Sequence, residues 1–147
     1  MPASLPIREL AEIADFLGEK VHEFSGTTIL ISGGYGFLGR YFLELFAYLN
    51  DHTLEKPCKL VVLDNQITTS AGSAPVQGLP NVTLIECDIV KEFEWNEPLD
   101  YIIHAAGIAS PFYYAKYPLE TLEVATVGTK NLLELGQSHR VKGFLFF

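Results

Sequence analysis

The segment Gly33-Gly34-Tyr35-Gly36-Phe37-Leu38-Gly39 sets Gly33, Gly36 and Gly39 at a G-x-x-G-x-x-G spacing. It stands between a β-branched apolar run and a stretch of helical periodicity. A chain that leaves a sheet and turns at once into a helix needs a residue free to take positive φ. A backbone that approaches a pyrophosphate closely needs positions without a Cβ, and a helix packed tightly on its strand needs one more. The helix start then offers unpaired N–H groups and partial positive charge to phosphate oxygens. The same spacing also serves a plain strand–helix turn, so its chemistry depends on the partners that the rest of the chain supplies.

Two carboxylates are candidates for that partnership. Asp64 closes the run "KLVVLD", and a carboxylate there can accept hydrogen bonds from both hydroxyls of an adenosine ribose. It also repels a 2′-phosphate, and no Lys or Arg occurs between Asn65 and Asn81 to attract one, which favours NAD over NADP. Asp88 closes the run "VTLIECD", where its side chain can meet the adenine amino group. The plainer alternatives are a turn cap at Asp64 and a solvated strand end at Asp88. His104 belongs to a residue type that often carries protons, but its place inside "YIIHAAG" reads as a packed strand end. Phe112, Tyr113, Tyr114 and Tyr117 could line a ligand site, cover a core edge or meet another subunit.

A sheet has to hold these groups in one place. Apolar residues at Ile7, Leu10, Ala11, Ala14, Leu17 and Val21 predict an amphipathic helix over 7–21, broken at Ser25-Gly26. Thr27 to Ser32, Lys59 to Asp64, Val82 to Asp88 and Leu99 to Ala105 read as strands, the first two buried on both faces. Phe37 to Leu49 and Tyr117 to His139 carry helical spacing, with Pro118 acceptable in a first turn. Asn50 to Pro57 reads as a polar loop, and 65–81, rich in Gly, Pro, Ser and Thr, as a loop with one short helical turn. Gly143 to Phe147 starts a fifth strand. Alternating strands and crossovers predict an α/β fold: a Rossmann-type doubly wound parallel sheet, order 3-2-1-4-5, with right-handed connections. Residues 1–26 form an N-terminal helical extension in this reading, and 27–147 a dinucleotide-binding domain truncated at its fifth strand.

Composition sets outer bounds. At 147 residues and 48% hydrophobic, the chain has one domain's worth of core. A net charge of −8 with no basic stretch argues against nucleic acid and anionic membranes as partners. No apolar run approaches the roughly 20 residues of a membrane helix, and the charged N-terminal segment is no secretory signal. Cys58 and Cys87 form no metal-binding pattern with the four histidines and read as reduced thiols of a cytoplasmic protein.

With "SGGYGFLG", "LDN", "CDI" and "HAAG" in this order, the chain resembles the extended short-chain dehydrogenase/reductase family, the NAD-dependent sugar-nucleotide epimerase/dehydratase group. "ASPFYYAKYPLETLEVATVGTKNLLELG" is similar to the segment that UDP-glucuronate decarboxylases (UDP-xylose synthases) carry after their fourth strand. The resemblance implies that Gly33, Gly36, Phe37, Leu38 and Gly39 hold the pyrophosphate and that Asp64 and Asn65 hold the adenosine ribose. It sets Asp88 and Ile89 beside adenine, and Ala105, Ala106 and Gly107 in the fourth-strand turn next to the cofactor. Ser110, Pro111 and Tyr114 would lie towards the sugar nucleotide, with Thr126 on the helix behind the nicotinamide. The chain departs from the family at Ala125, where Asn is usual and helps hold the active-site helix.

In the resembled decarboxylases, NAD takes a hydride from C4 of the sugar while a tyrosinate removes the hydroxyl proton. The resulting β-keto acid loses carbon dioxide, and the hydride returns. Dehydratases of dTDP-glucose and nucleotide-sugar 4-epimerases share the first oxidation. No lysine of this chain has a tyrosine four positions before it, so the family's Tyr-x-x-x-Lys pair is absent and inactivity of the chain alone is expected. Three readings stand: the NAD-binding N-terminal part of a nucleotide-sugar enzyme, a non-catalytic nucleotide-binding or regulatory module, and a scaffold that binds no nucleotide. The fifth strand, "GFLFF", would leave an open sheet edge prone to homodimer formation or self-association.

Overall fold

The apolar runs assemble as their patterns require. In the computed structural model, which describes residues 5–68 and 79–147, five parallel strands lie side by side. They are β1 (Thr28–Ser32), β2 (Lys59–Asp64), β3 (Val82–Glu86), β4 (Tyr101–His104) and β5 (Gly143–Phe146), in the order β3-β2-β1-β4-β5. The predicted doubly wound sheet is therefore the observed one. Ile29, Leu30 and Ile31 of β1 are fully buried, because helices cover both faces of the sheet.

Successive strand residues point to opposite layers. Ile29, Ile31, Leu60, Val62 and Ile103 pack under α1 (Ile7–Leu17) and α2 (Phe37–His52), with Leu43, Phe46 and Leu49 of α2 at the centre. Leu30, Val61, Leu63 and Ile102 face the other way, against Ile89, Leu99 and Leu132. Leu132 belongs to α5 (Thr129–His139), the last piece of a helical arm that also includes α3 (Pro111–Lys116), α4 (Pro118–Glu123) and a π-helical turn over Val124–Gly128.

Several boundaries differ from the sequence expectation for local reasons. The first helix ends at Leu17, not Val21: Gly18 at φ 57 turns the chain into a 3-10 segment, Gly18–Phe24, which still buries Val21. The second runs to His52, three residues into the expected loop. β3 and β4 are shorter than their apolar runs, so Asp88 lies two residues beyond its strand. The helix expected over 117–139 is interrupted by the π turn, and α3 precedes it where no helix was predicted. The helical turn expected in the 65–81 loop falls largely outside the described residues.

The register aligns the carboxyl ends of the strands. Ser32 lies opposite both Leu63 and His104, and Asp64 lies opposite Glu86. The loops leaving β1, β2, β3 and β4 therefore open on one edge, the place where ligands enter open α/β sheets.

Candidate cofactor site

The glycine junction is built around one close approach. Gly33 has φ 74, and a Cβ on it would come within 2.5 Å of the Ala106 Cα and 2.7 Å of the Ala105 carbonyl oxygen. Only glycine lets the turn after β1 lie against the turn after β4. Its N–H donates to the Leu63 carbonyl at 2.8 Å, and its carbonyl accepts the Gly36 N–H at 3.0 Å. Gly36 then caps α2 with no side chain bonded to the first-turn amides, so that helix start is open to an anion. Gly39 serves the packing behind the loop: a Cβ there would lie 2.2 Å from the Gly33 carbonyl oxygen. Gly34, backed by Val62, is as tightly enclosed.

Asp64 is pinned on both oxygens. Oδ2 accepts the Tyr35 N–H at 2.9 Å and Oδ1 accepts the Gln66 N–H at 2.8 Å. One carboxylate thus joins the glycine loop to the loop after β2, and it lines the cleft. Asp88 sets the next turn, accepting the Val90 N–H on its side chain at 3.2 Å and the Lys91 N–H on its carbonyl at 2.9 Å. Ile89 is buried between this turn and the helical arm. The Asn131 amide donates to the Ile89 and Val90 carbonyls at 2.9 and 3.2 Å, and a Cβ on Gly128 would press on the Ile89 side chain at 2.9 Å.

The third wall is fixed by a buried polar chain. The Thr129 hydroxyl donates to the Ala125 carbonyl at 2.8 Å, so it accepts from His104 Nε2 at 3.0 Å. Nδ1 of His104 is then the acceptor for the Ser32 hydroxyl at 2.8 Å. His104 is fully buried, and burial holds its pKa below the ordinary value against a Val124 carbonyl that favours the charged form. It is a packed neutral residue, as its apolar surroundings predict. The same chain anchors the π turn around Ala125, the position where the resembled family has Asn, so the segment is held without that side chain.

Of the residues singled out in the sequence, Gly33, Gly36, Asp64, Asn65, Asp88, Ile89, Ala105, Ala106 and Gly107 meet in one cleft at the carboxyl edge of the sheet. The others do not line it. Phe37 and Leu38 are exposed in the first turn of α2, Phe37 against Tyr41, and Gly39 is buried beneath. Ser110 and Pro111 start α3 on the surface, and Tyr114 is exposed on the same helix. Thr126 is exposed and bonds back to the Leu122 carbonyl; Glu120, Glu123 and Val124 are the arm residues that face the cleft. Those three, with Cys87 in the wall and Asn131 behind it, were not foreseen. Side-chain periodicity does not show which face of an arm looks into a cleft when a π turn shifts it. Among the described lining residues the only charged groups are carboxylates, Asp64, Asp88, Glu120 and Glu123. The described residues contain no group of three His, Cys, Asp or Glu fit for a metal. No described helix is long and apolar enough to cross a membrane.

The parallel sheet, its 3-2-1-4-5 order and the glycine turn after β1 define a Rossmann-type α/β protein. Residues 29–147 match the model of the NAD dependent epimerase/dehydratase family. The chain belongs to that family. It is 34% identical over 119 residues to UDP-glucuronic acid decarboxylase 5 of Arabidopsis thaliana, covering 77% of this chain and 31% of that protein. It is 35% identical over 127 residues to UDP-glucuronic acid decarboxylase 1 of Danio rerio, covering 83% and 26%. The chain thus spans less than a third of the curated relatives it matches. Among solved structures, epimerase Mth375 of Methanothermobacter thermautotrophicus superposes with a TM-score of 0.68 at 20% identity, over 89% of this chain and 38% of that one. The Bordetella bronchiseptica enzyme WbmF, solved in complex with NAD+, gives 0.64 at 23%, over 84% and 36%. At these identities the likeness is one of fold.

Proposed function

We propose that the cleft holds NAD and that the chain is the NAD-holding part of a nucleotide-sugar-modifying enzyme of the UDP-glucuronate decarboxylase kind. The observation that carries the cofactor reading is the junction of Gly33, Gly36 and Asp64. A loop with no room for a Cβ and an uncapped helix start lie beside a carboxylate fixed by two backbone N–H groups. The α2 N-terminus would take the diphosphate, Asp64 the adenosine ribose, and Asp88 with Ile89 the adenine. Ala105, Ala106 and Gly107 would border the nicotinamide end.

When bound, NAD supplies a hydride acceptor that can return the hydride to the sugar. The chain's own contribution is binding, orientation and exclusion of water. Proton transfer at the sugar is assigned to none of its side chains, since the Tyr-x-x-x-Lys pair does not occur in the 147 residues. The decarboxylase reading, in preference to a 4,6-dehydratase or a 4-epimerase, is supported by the Ala-Ser-Pro segment after β4 and by the decarboxylase relatives.

Saturation-transfer NMR with NAD+ tests the cofactor reading. Strong transfer to the adenine and nicotinamide protons, with the nicotinamide signal abolished by excess ADP-ribose, is the expected result. A folded chain that transfers nothing to NAD+ contradicts it.

A further inference from the structure

A second carboxylate stands beside Asp64 at the same edge of the sheet. Glu86 is its register partner on β3, and neighbouring strands lie roughly 5 Å apart. Gln66, held at φ 56, spans the two: its backbone N–H donates to Asp64 Oδ1 at 2.8 Å and its side-chain amide to Glu86 Oε2 at 3.3 Å. Both carboxylates act on Tyr35 in the glycine loop, whose phenol is held above its ordinary pKa by burial first and then by Asp64 and Glu86. Their combined field therefore reaches the loop that would carry the diphosphate.

We infer that Glu86 is a second specificity residue, which with Asp64 and the Gln66 bridge excludes cofactors bearing a 2′-phosphate. The inference rests on the reading of the cleft as a dinucleotide site. A carboxylate that accepts hydrogen bonds from the ribose holds the 2′ position at roughly 3 Å from its own oxygens. A phosphate there would add two negative charges within reach of Asp64 and, one strand over, of Glu86. The sequence from Asn65 to Asn81 supplies no Lys or Arg to offset them. Gln66, beside the Asp64 carboxylate, is a side chain that could donate to such a phosphate, and its amide is already committed to Glu86. Neutralising Asp64 alone therefore leaves a second repelling charge in place.

The test is calorimetric titration of NAD+ and NADP+ into the 147-residue chain, its Glu86→Gln variant and a Gln66→Lys variant, at low and at physiological salt. Glu86 and Gln66 are both exposed, so the folded state tolerates either change, and circular dichroism verifies it. Glu86→Gln is expected to raise the NADP+/NAD+ affinity ratio by about three- to tenfold, less at higher salt. Gln66→Lys is expected to raise it further, because it places a cation between the two carboxylates. NAD+ binding with a ratio unchanged in Glu86→Gln overturns this inference and leaves the cofactor reading intact. A folded parent chain that binds neither nucleotide overturns both.

Discussion

The Tyr35 backbone N–H donates to Asp64 Oδ2 at 2.9 Å, and this bond joins the glycine loop to the tip of the second strand. Asp64 thus shapes the loop as well as facing the cleft. Asp64→Ala removes the acceptor for two backbone donors at a half-exposed site, at a cost of about 1 kcal/mol. Amide hydrogen exchange should accelerate at Tyr35 and Gln66 and stay unchanged in β1. Exchange unaltered at both amides would show that the loop holds itself.

Gly39 is a packing residue under the loop. In Gly39→Ala the new methyl would meet the Gly33 carbonyl oxygen at 2.2 Å and the Gly34 Cα at 2.6 Å, both backbone atoms that cannot step aside cheaply. Urea unfolding should show a loss of about 1–3 kcal/mol. A wild-type midpoint would mean that α2 can shift away from β1.

His104 makes stability depend on pH with a definite sign. Its pKa is depressed in the folded state by burial, so the unfolded chain binds a proton more readily. The contribution of a neutral His104 is present above its unfolded value, roughly 6.5. It is lost as pH falls below that value. Urea midpoints at pH 5 and pH 7.5 should therefore differ more in the wild type than in His104→Gln. Equal pH dependence in the two proteins would refute this role.

The two thiols should react very differently. Burial pushes the Cys58 thiol up to about 11, against hydrogen bonds with Asn50 and its own backbone, and the residue is fully buried. Cys87 is half-buried and lines the cleft. A colourimetric thiol reagent at pH 8 should modify one cysteine in the native protein and the second only in denaturant. Saturating NAD+ should slow the native reaction. Two fast thiols in the native state would contradict the packing around Cys58.

Much of this fold was legible because burial on both faces leaves a simple mark. "TILIS", "KLVVLD" and "YIIH" are apolar without alternation, and they became the three central strands. The glycine junction was legible for a similar reason, since Gly33 and Gly39 sit where any Cβ would meet backbone. What escaped the sequence lies in backbone geometry and in small register shifts. The break at Gly18 interrupts a helical pattern whose apolar spacing continues to Val21. The π turn at Val124–Gly128 inserts itself without changing residue type, and so hid which side of the arm faces the cleft. α3, "PFYYAK", buries no residue and so left no periodicity to read. The Tyr35–Asp64 and Asn131–Ile89 bonds each end on a backbone atom, which carries no signature in residue identity.

A working dinucleotide site at the junction of Gly33, Gly36 and Asp64 is tested most directly by calorimetric titration of NAD+ into the chain and into Asp64→Ala. Saturable one-to-one binding, weakened at least about tenfold by loss of the Asp64 carboxylate, is the predicted result. A folded wild-type chain that releases no heat with NAD+, or a variant that binds as tightly as the parent, would contradict it.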